Sequence, residues 1–213
     1  MEPIARRLCQ QLLEPIHLVS YMSDEPTEAL QALGFKGYWP GYFATRVATS
    51  APMEGRILYA GLRSLPVPGE PVARLWHAAT LLREHRGDGH LAALVSAGIG
   101  GQEAHVLHAL SLGMTPEEYG RLNPLTPMQL AAIVDGLCAR GLVDASAALT
   151  AAGRETKDRI ESVTDALAAP AYDSLEPGEV AQLIADLEPR RQRSTLSATR
   201  RTWSRCGRFQ CVW

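Results

Sequence analysis

Between Gly113 and Glu155 the sequence places helix starts, a helix stop and short strands in an order that few folds accommodate. Thr-Pro pairs at Thr115 and Thr126 are typical of helix starts, because threonine caps a helix and proline fits its first turn. The second of these helices has apolar residues at spacings of three and four, which predicts one buried face. The elements that follow are a helix stop with a short strand (Arg140–Asp144), a returning strand (Ala148–Thr150) and a last helix from about Ala152.

Upstream of this region the chain divides into helical segments with one long break. Ile4–Leu13 places its apolar residues on one face, which predicts an amphipathic helix. The segment 47–72 is rich in proline and glycine, so we interpret it as a loop or linker. Helices resume over 73–86, and Asp88 is placed to cap a further helix over 89–97. The predicted segments are an N-terminal helical segment (1–46), the linker (47–72), a helical support region (73–112), the region of short elements and long helix (113–169), a C-terminal helix (170–189) and a disordered arginine-rich tail (190–213).

Two stretches carry a specific resemblance. Leu-x-x-Arg-Gly-Leu-Val-Asp at Leu137–Asp144 and Leu-Thr-x-x-Gly-Arg-Glu at Leu149–Glu155 resemble the recognition helix, wing and dimer helix of winged helices of the multiple-antibiotic-resistance-regulator (MarR) type. Gly141 matches the glycine that ends the recognition helix, and Gly153 matches the start of the long final helix. The resemblance implies a mainly α fold, in which a winged helix-turn-helix with a small β-hairpin wing is joined by additional N-terminal helices.

The rest of the chain resembles an actinobacterial helix-turn-helix family. Leu75–His90 is similar to a motif of that family, and Glu14–His17 and Gly37–Phe43 are similar to its N-terminal segments. The resemblance covers about Ile4–Glu188. This chain departs from the family in two places: family members carry a longer helical stretch where it has only Val47–Arg56, and its tail does not resemble family sequence.

The resemblance implies a dimeric regulator that binds double-stranded DNA. The residues we expect at the DNA are base-contacting Thr126, Met128 and Gln129, with Arg140 and Arg154 near phosphates. From Thr126 to Leu137 there is no arginine or lysine, and between Gly101 and Ala168 five basic residues face nine acidic ones. Phosphate neutralisation is therefore weak. Two hypotheses stay open: a weak or partner-dependent DNA-binding protein, or a winged helix used as an interaction module.

A second group of residues can form a ligand site. His85, Asp88 and His90 place two imidazoles and a carboxylate within six residues, a set that can bind a metal or an anionic or phenolic molecule. A metal needs further ligands, so no metal is assigned. In the structural alternative Asp88 caps a helix and the adjacent glycines form a turn. The second function hypothesis is therefore a ligand-binding or accessory protein of small-molecule metabolism, with these residues and Trp39 around a small aromatic ligand.

Composition and motifs argue against several other classes. Four scattered cysteines favour neither a disulfide framework nor a zinc site, and no apolar run approaches a membrane span or a secretion signal. No nucleophile elbow or phosphate-binding glycine loop is present. We therefore expect a cytoplasmic binding protein without a cofactor, not an enzyme. The net charge is −2, but the tail from Arg190 onward holds seven arginines and no acids. The rest of the chain carries about −9 and repels nucleic acid at long range.

Overall fold

The computed structural model describes residues 38–122 and 124–185, and these residues are mainly helical. The helices are α1 (Tyr38–Ser50), α2 (Ile57–Arg63), α3 (Pro71–Ser96), α4 (Gly101–Ser111), α5 (Pro127–Ala139), α6 (Ala151–Ala168) and α7 (177–185), with 3₁₀ helices at Pro116–Glu118, Gly120–Leu122 and Ala169–Ser174. The predicted mainly α class is confirmed. Among these helices none is both long and apolar enough to cross a membrane. The predicted helix over Ile4–Leu13 and the tail 190–213 lie outside the described residues.

The described residues form two compact units, each with its own apolar core. The first unit comprises 38–89 and 165–185, and the second, which we call the winged-helix unit after the fold that its sequence resembles, comprises 90–164. The core of the first unit includes Phe43, Val47, Tyr59, Leu75, Leu81, Leu82, Tyr172 and Leu183. The core of the winged-helix unit includes Val106, Leu107, Tyr119, Leu130, Leu137, Val143, Leu149 and Ile160.

Part of the segment 47–72, which the sequence predicts to be a loop or linker, is helical. It contains the end of α1 and the seven residues of α2. Tyr59 of α2 is fully buried, and its hydroxyl donates a hydrogen bond to the carbonyl of Ala48 at 2.6 Å. The backbone N–H of Tyr59 donates to a carboxylate oxygen of Asp88 at 2.9 Å. These long-range contacts hold a helix that is too short for its hydrophobic periodicity to be recognised.

Helix α3 is continuous through the two glycines that were expected to form a turn. Gly89 is buried against the guanidinium of Arg56, and a Cβ at this position would overlap that group. The Arg56 guanidinium donates to the carbonyls of His85 and Leu167, the latter at 2.6 Å. Position 89 therefore favours glycine because the Arg56 side chain approaches it closely, and not because the chain turns there. Asp88 is a cap, but for α2 and not for a new helix.

The two glycines of α3 give a matched prediction. Gly89→Ala should lower the free energy of unfolding by about 1–3 kcal/mol, because the pinned Arg56 guanidinium must move. A Cβ at Gly87 would meet only Glu84 Oε2, at 3.6 Å, so Gly87→Ala should raise stability by about 0.5–1 kcal/mol through helix propensity. Urea unfolding of both variants checks this. Equal effects at the two positions would contradict the placement of Arg56.

The winged-helix unit follows the predicted order of elements. At the first 3₁₀ helix the N–H of Thr115 donates to the Glu118 carboxylate at 2.9 Å. Helix α5 ends before Gly141, whose φ of +70° is the left-handed conformation that favours glycine. The chain then turns back, and α6 begins at Ala151. The predicted pair of short helices therefore appears with a 3₁₀ element in place of the first.

The predicted β-hairpin wing is reduced to a single antiparallel bridge, between Val143 and Leu149. Backbone hydrogen bonds from Asp144 N to Ala148 O, at 2.9 Å, and from Thr150 N to Leu142 O, at 3.1 Å, flank this bridge. No longer strand occurs in the part of the chain that the structure describes. The turn is held by Asp144, whose carboxylate accepts three local hydrogen bonds. These bonds lower the pKa of the Asp144 carboxyl.

Candidate nucleic-acid interface

Helix α5 starts at a reciprocal capping box. The N–H of Gln129 donates to the Thr126 hydroxyl at 3.3 Å, and the N–H of Thr126 donates to Gln129 Oε1 at 2.9 Å. The Thr126 hydroxyl also contacts Gln129 Oε1, at 3.0 Å. The box fixes the helix start, but it occupies the side-chain oxygens of two predicted base-contacting residues.

The outer face of α5 is apolar apart from Gln129 and one carboxylate. Met128 is 82% exposed, and further along the helix Ala131, Ala132, Asp135 and Ala139 are exposed. The opposite face packs into the core of the unit through Leu130 and Leu137. The exposed surface of α5 therefore offers methyl and thioether groups beside the Gln129 amide, and its only charged residue is acidic.

The two arginines predicted near phosphates both make contacts within the winged-helix unit. Arg140 pairs with both carboxylate oxygens of Glu103 at 3.1 Å and donates to the carbonyl of Gly98 at 2.9 Å. Arg154 donates to the carbonyl of Leu149 at 2.6 Å. Both residues are exposed. Each can meet a phosphate only with the nitrogens that these contacts leave over, or by giving a contact up.

An open groove of about 820 Å³ runs between the 3₁₀ helix at Pro116, α5, the hairpin turn and the first turns of α6. Its apolar lining includes Met114, Pro116, Pro127, Leu130, Val134 and Leu149, and its charged lining is Glu117, Asp135, Arg154, Lys157 and Asp158. Sequence reasoning missed Lys157 as a neighbour of this surface. Its position three residues after Arg154 is the signal that could have found it, because such residues share a helix face.

Three of the residues predicted to form a ligand site have partners within the protein. His85 is 1% exposed and packs edge-on against Tyr59, with the two ring centroids 5.0 Å apart. Asp88 caps α2 as described above. In the winged-helix unit, His90 Nδ1 and the Thr164 hydroxyl lie 3.0 Å apart. Trp39 belongs to α1, but its side chain is outside the described residues. Among the residues that the structure describes, no group of three or more potential ligands is arranged to hold a metal.

Burial makes His85 difficult to protonate. The His85 ring forms a hydrogen bond with the backbone of Pro52, but its Nε2 has no hydrogen-bond partner. Desolvation, followed by the positive charge of Arg56, lowers the pKa of His85 to about 4. Because a neutral ring suffices for these contacts, the site holds an uncharged imidazole at neutral pH.

This low pKa predicts a loss of stability in mild acid. Above pH about 6.5 His85 is neutral in both the folded and unfolded states and contributes nothing. As the pH falls from about 6.5 to about 4, only the unfolded chain gains the proton, which costs roughly 3 kcal/mol of stability. Unfolding free energies of the wild type and of His85→Asn across this range measure the difference. Parallel pH profiles for the two proteins would contradict the burial of His85.

Comparison with known proteins adds one match. A family model described as a helix-turn-helix family matches residues 5–51 and 47–199. The two matched segments meet at 47–51, and together they include every residue of both compact units. No curated protein and no solved structure matches this chain.

Proposed function

This chain belongs to a helix-turn-helix family, and on that premise we propose that its winged-helix unit binds double-stranded DNA as a MarR-like transcriptional regulator. The observation that carries the proposal is the placement of α5. Its start is fixed by the Thr126–Gln129 box, its inner face is locked into the core, and its outer face is exposed. A helix held in this way suits insertion into the major groove.

The charges around α5 predict that this binding is weak. Arg140, Arg154 and Lys157 are the cations we assign to phosphates, and the first two already have protein partners. The carboxylate of Asp135 on α5 repels a phosphate backbone. Three phosphate contacts give a slope of log K against log salt of about −2 to −3, because each contact contributes about −0.9.

A salt series tests this proposal. The full chain is titrated by fluorescence anisotropy against a random duplex, starting at low salt, and the slope is taken from the association constants. We expect a slope of about −2 to −3. A slope of about −6 would match the seven arginines of the tail and would remove the phosphate contacts from the winged-helix unit. Absence of binding at low salt would contradict the proposal.

The groove beside α5 favours a second function, the binding of a small apolar molecule by the winged-helix unit. Its volume lies within the range of small-molecule sites, and its lining combines apolar walls with a few charges. In a regulator the same ligand would act on α5; in an accessory protein it would bind without DNA. Ala131→Trp fills the groove from an exposed position, so it should abolish the thermal shift that a bound aromatic ligand gives. An unchanged shift would exclude the groove.

The homodimer expected of a MarR-like regulator stays a prediction. Light scattering of the full chain gives its mass in solution directly, and a monomer at the concentrations used for DNA titration would contradict that part of the proposal.

A further inference from the structure

The side chains on the outer face of α5 differ from those that usually contact purine bases. Guanine is commonly bound by arginine or lysine and adenine by asparagine or glutamine, through two hydrogen bonds each. Helix α5 has neither arginine nor lysine. Its single glutamine, Gln129, uses Oε1 for the Thr126 cap at 2.9 Å, so it cannot offer both amide groups to adenine while the cap is intact.

Besides Gln129 and Asp135, the exposed side chains of α5 are apolar. Met128 is 82% exposed, and the exposed methyl groups of Ala131 and Ala132 follow one turn later. In the major groove the only apolar group on the base edges is the 5-methyl group of thymine. The exposed carboxylate of Asp135 accepts hydrogen bonds only, which suits the amino groups of cytosine or adenine and disfavours the acceptor edge of guanine.

Helix α5 itself carries no positive charge, but the neighbouring helix α6 supplies cations that can contact DNA phosphates. Arg154 and Lys157 line the groove beside α5 together with Ala131, so positive charge lies beside the helix and not on it. Phosphates and base edges would therefore be contacted by different elements, α6 and α5.

We propose that α5 selects thymine-rich duplexes through contact of Met128, Ala131 and Ala132 with thymine 5-methyl groups. This inference rests on the proposed DNA-binding function. Each methyl group that is buried at such a contact is expected to strengthen binding roughly fourfold. Specificity then comes from the number of contacted methyl groups and not from paired hydrogen bonds to purines.

The experiment uses uracil, which pairs like thymine but lacks the 5-methyl group. Duplexes that the full chain retains from a random library are measured by anisotropy, first with thymine and then with deoxyuridine in its place. We expect the retained duplexes to be thymine-rich and the substitution to weaken binding roughly fourfold for each contacted position. In Met128→Ala, replacing thymine with deoxyuridine should weaken binding less than it does in the wild type. In Val95→Ala, at a residue that is 78% exposed on α3, the replacement should weaken binding as much as in the wild type.

The outcomes separate the inference from the function on which it depends. If the full chain retains no duplex, the proposed DNA binding fails and the inference fails with it. If duplexes with thymine and uracil bind equally, DNA binding stands and the methyl contact is overturned. If Met128→Ala and the wild type lose the same affinity on substitution, the methyl group acts through DNA shape, and the assignment to α5 is overturned.

Discussion

Gly153→Ala is expected to destabilise the winged-helix unit by about 3 kcal/mol, the upper end of the usual cost of overpacking. A Cβ at this position would overlap the carbonyl oxygen of Leu142 and lie 3.2 Å from the Leu149 side chain. The overlapped atom is backbone, and the N–H of Thr150 donates to it, so it cannot move without opening the hairpin. Only glycine lets the start of α6 approach the backbone of Leu142 this closely.

Gly136→Ala in α5 is the matched control for this substitution. A Cβ at Gly136 would meet nothing within 4 Å, so alanine should raise the free energy of unfolding by about 0.5–1 kcal/mol through helix propensity. Urea unfolding followed by circular dichroism measures both variants. If Gly153→Ala were as stable as the wild type, the hairpin could not lie against α6, and the winged-helix assignment would lose its basis.

Arg86→Met should destabilise the first unit by about 3–5 kcal/mol, because it leaves the carboxylate of Asp165 buried without its cation. The Arg86 guanidinium lies 3.1 Å from this carboxylate, and the two side chains are 2% and 5% exposed. Adding Asp165→Leu should restore much of the loss, because removal of both charges leaves neither one buried alone. Guanidinium unfolding of the two single variants and the double variant measures the coupling.

The exposed pair of Arg140 and Glu103 provides the comparison. Its side chains are 39% and 24% exposed, so Arg140→Met should cost no more than about 1 kcal/mol. Similar losses for Arg86→Met and Arg140→Met would show that the Arg86–Asp165 pair is not buried. A fully additive double variant would show that the two residues do not interact.

The sequence predicts the elements whose ends are set locally. The Thr-Pro pair at Thr126 gives the start of α5, and Gly141 gives its end, because both signals depend on the backbone of the same few residues. The capping box of Thr126 and Gln129 could also have been recognised from its spacing. In that role the two side chains serve the helix start, which competes with the base contacts predicted for them.

The elements that the sequence misses depend on distant partners. In the sequence, Gly87 and Gly89 resemble a turn. Only the fold shows that Arg56, about thirty residues away along the chain, lies against Gly89. Helix α2 lacks a periodic pattern long enough to identify it, and Tyr59 secures it by contacts with Ala48 and Asp88. The same limit applies to the candidate sites. His85 and His90 lie close enough in sequence to suggest a ligand site, whereas the groove beside α5 joins four elements from residues 110–158 and has no local signal.

The contact of α5 with DNA is tested most directly by adding one negative charge to its outer face. Met128 and Val95 are both highly exposed, at 82% and 78%, so Met128→Glu and Val95→Glu change the net charge equally without disturbing a core. Anisotropy titration of the full chain with duplex at low salt should show binding lost in Met128→Glu and retained in Val95→Glu. Equal affinity of the two variants would contradict the account, because α5 would then lie away from the DNA.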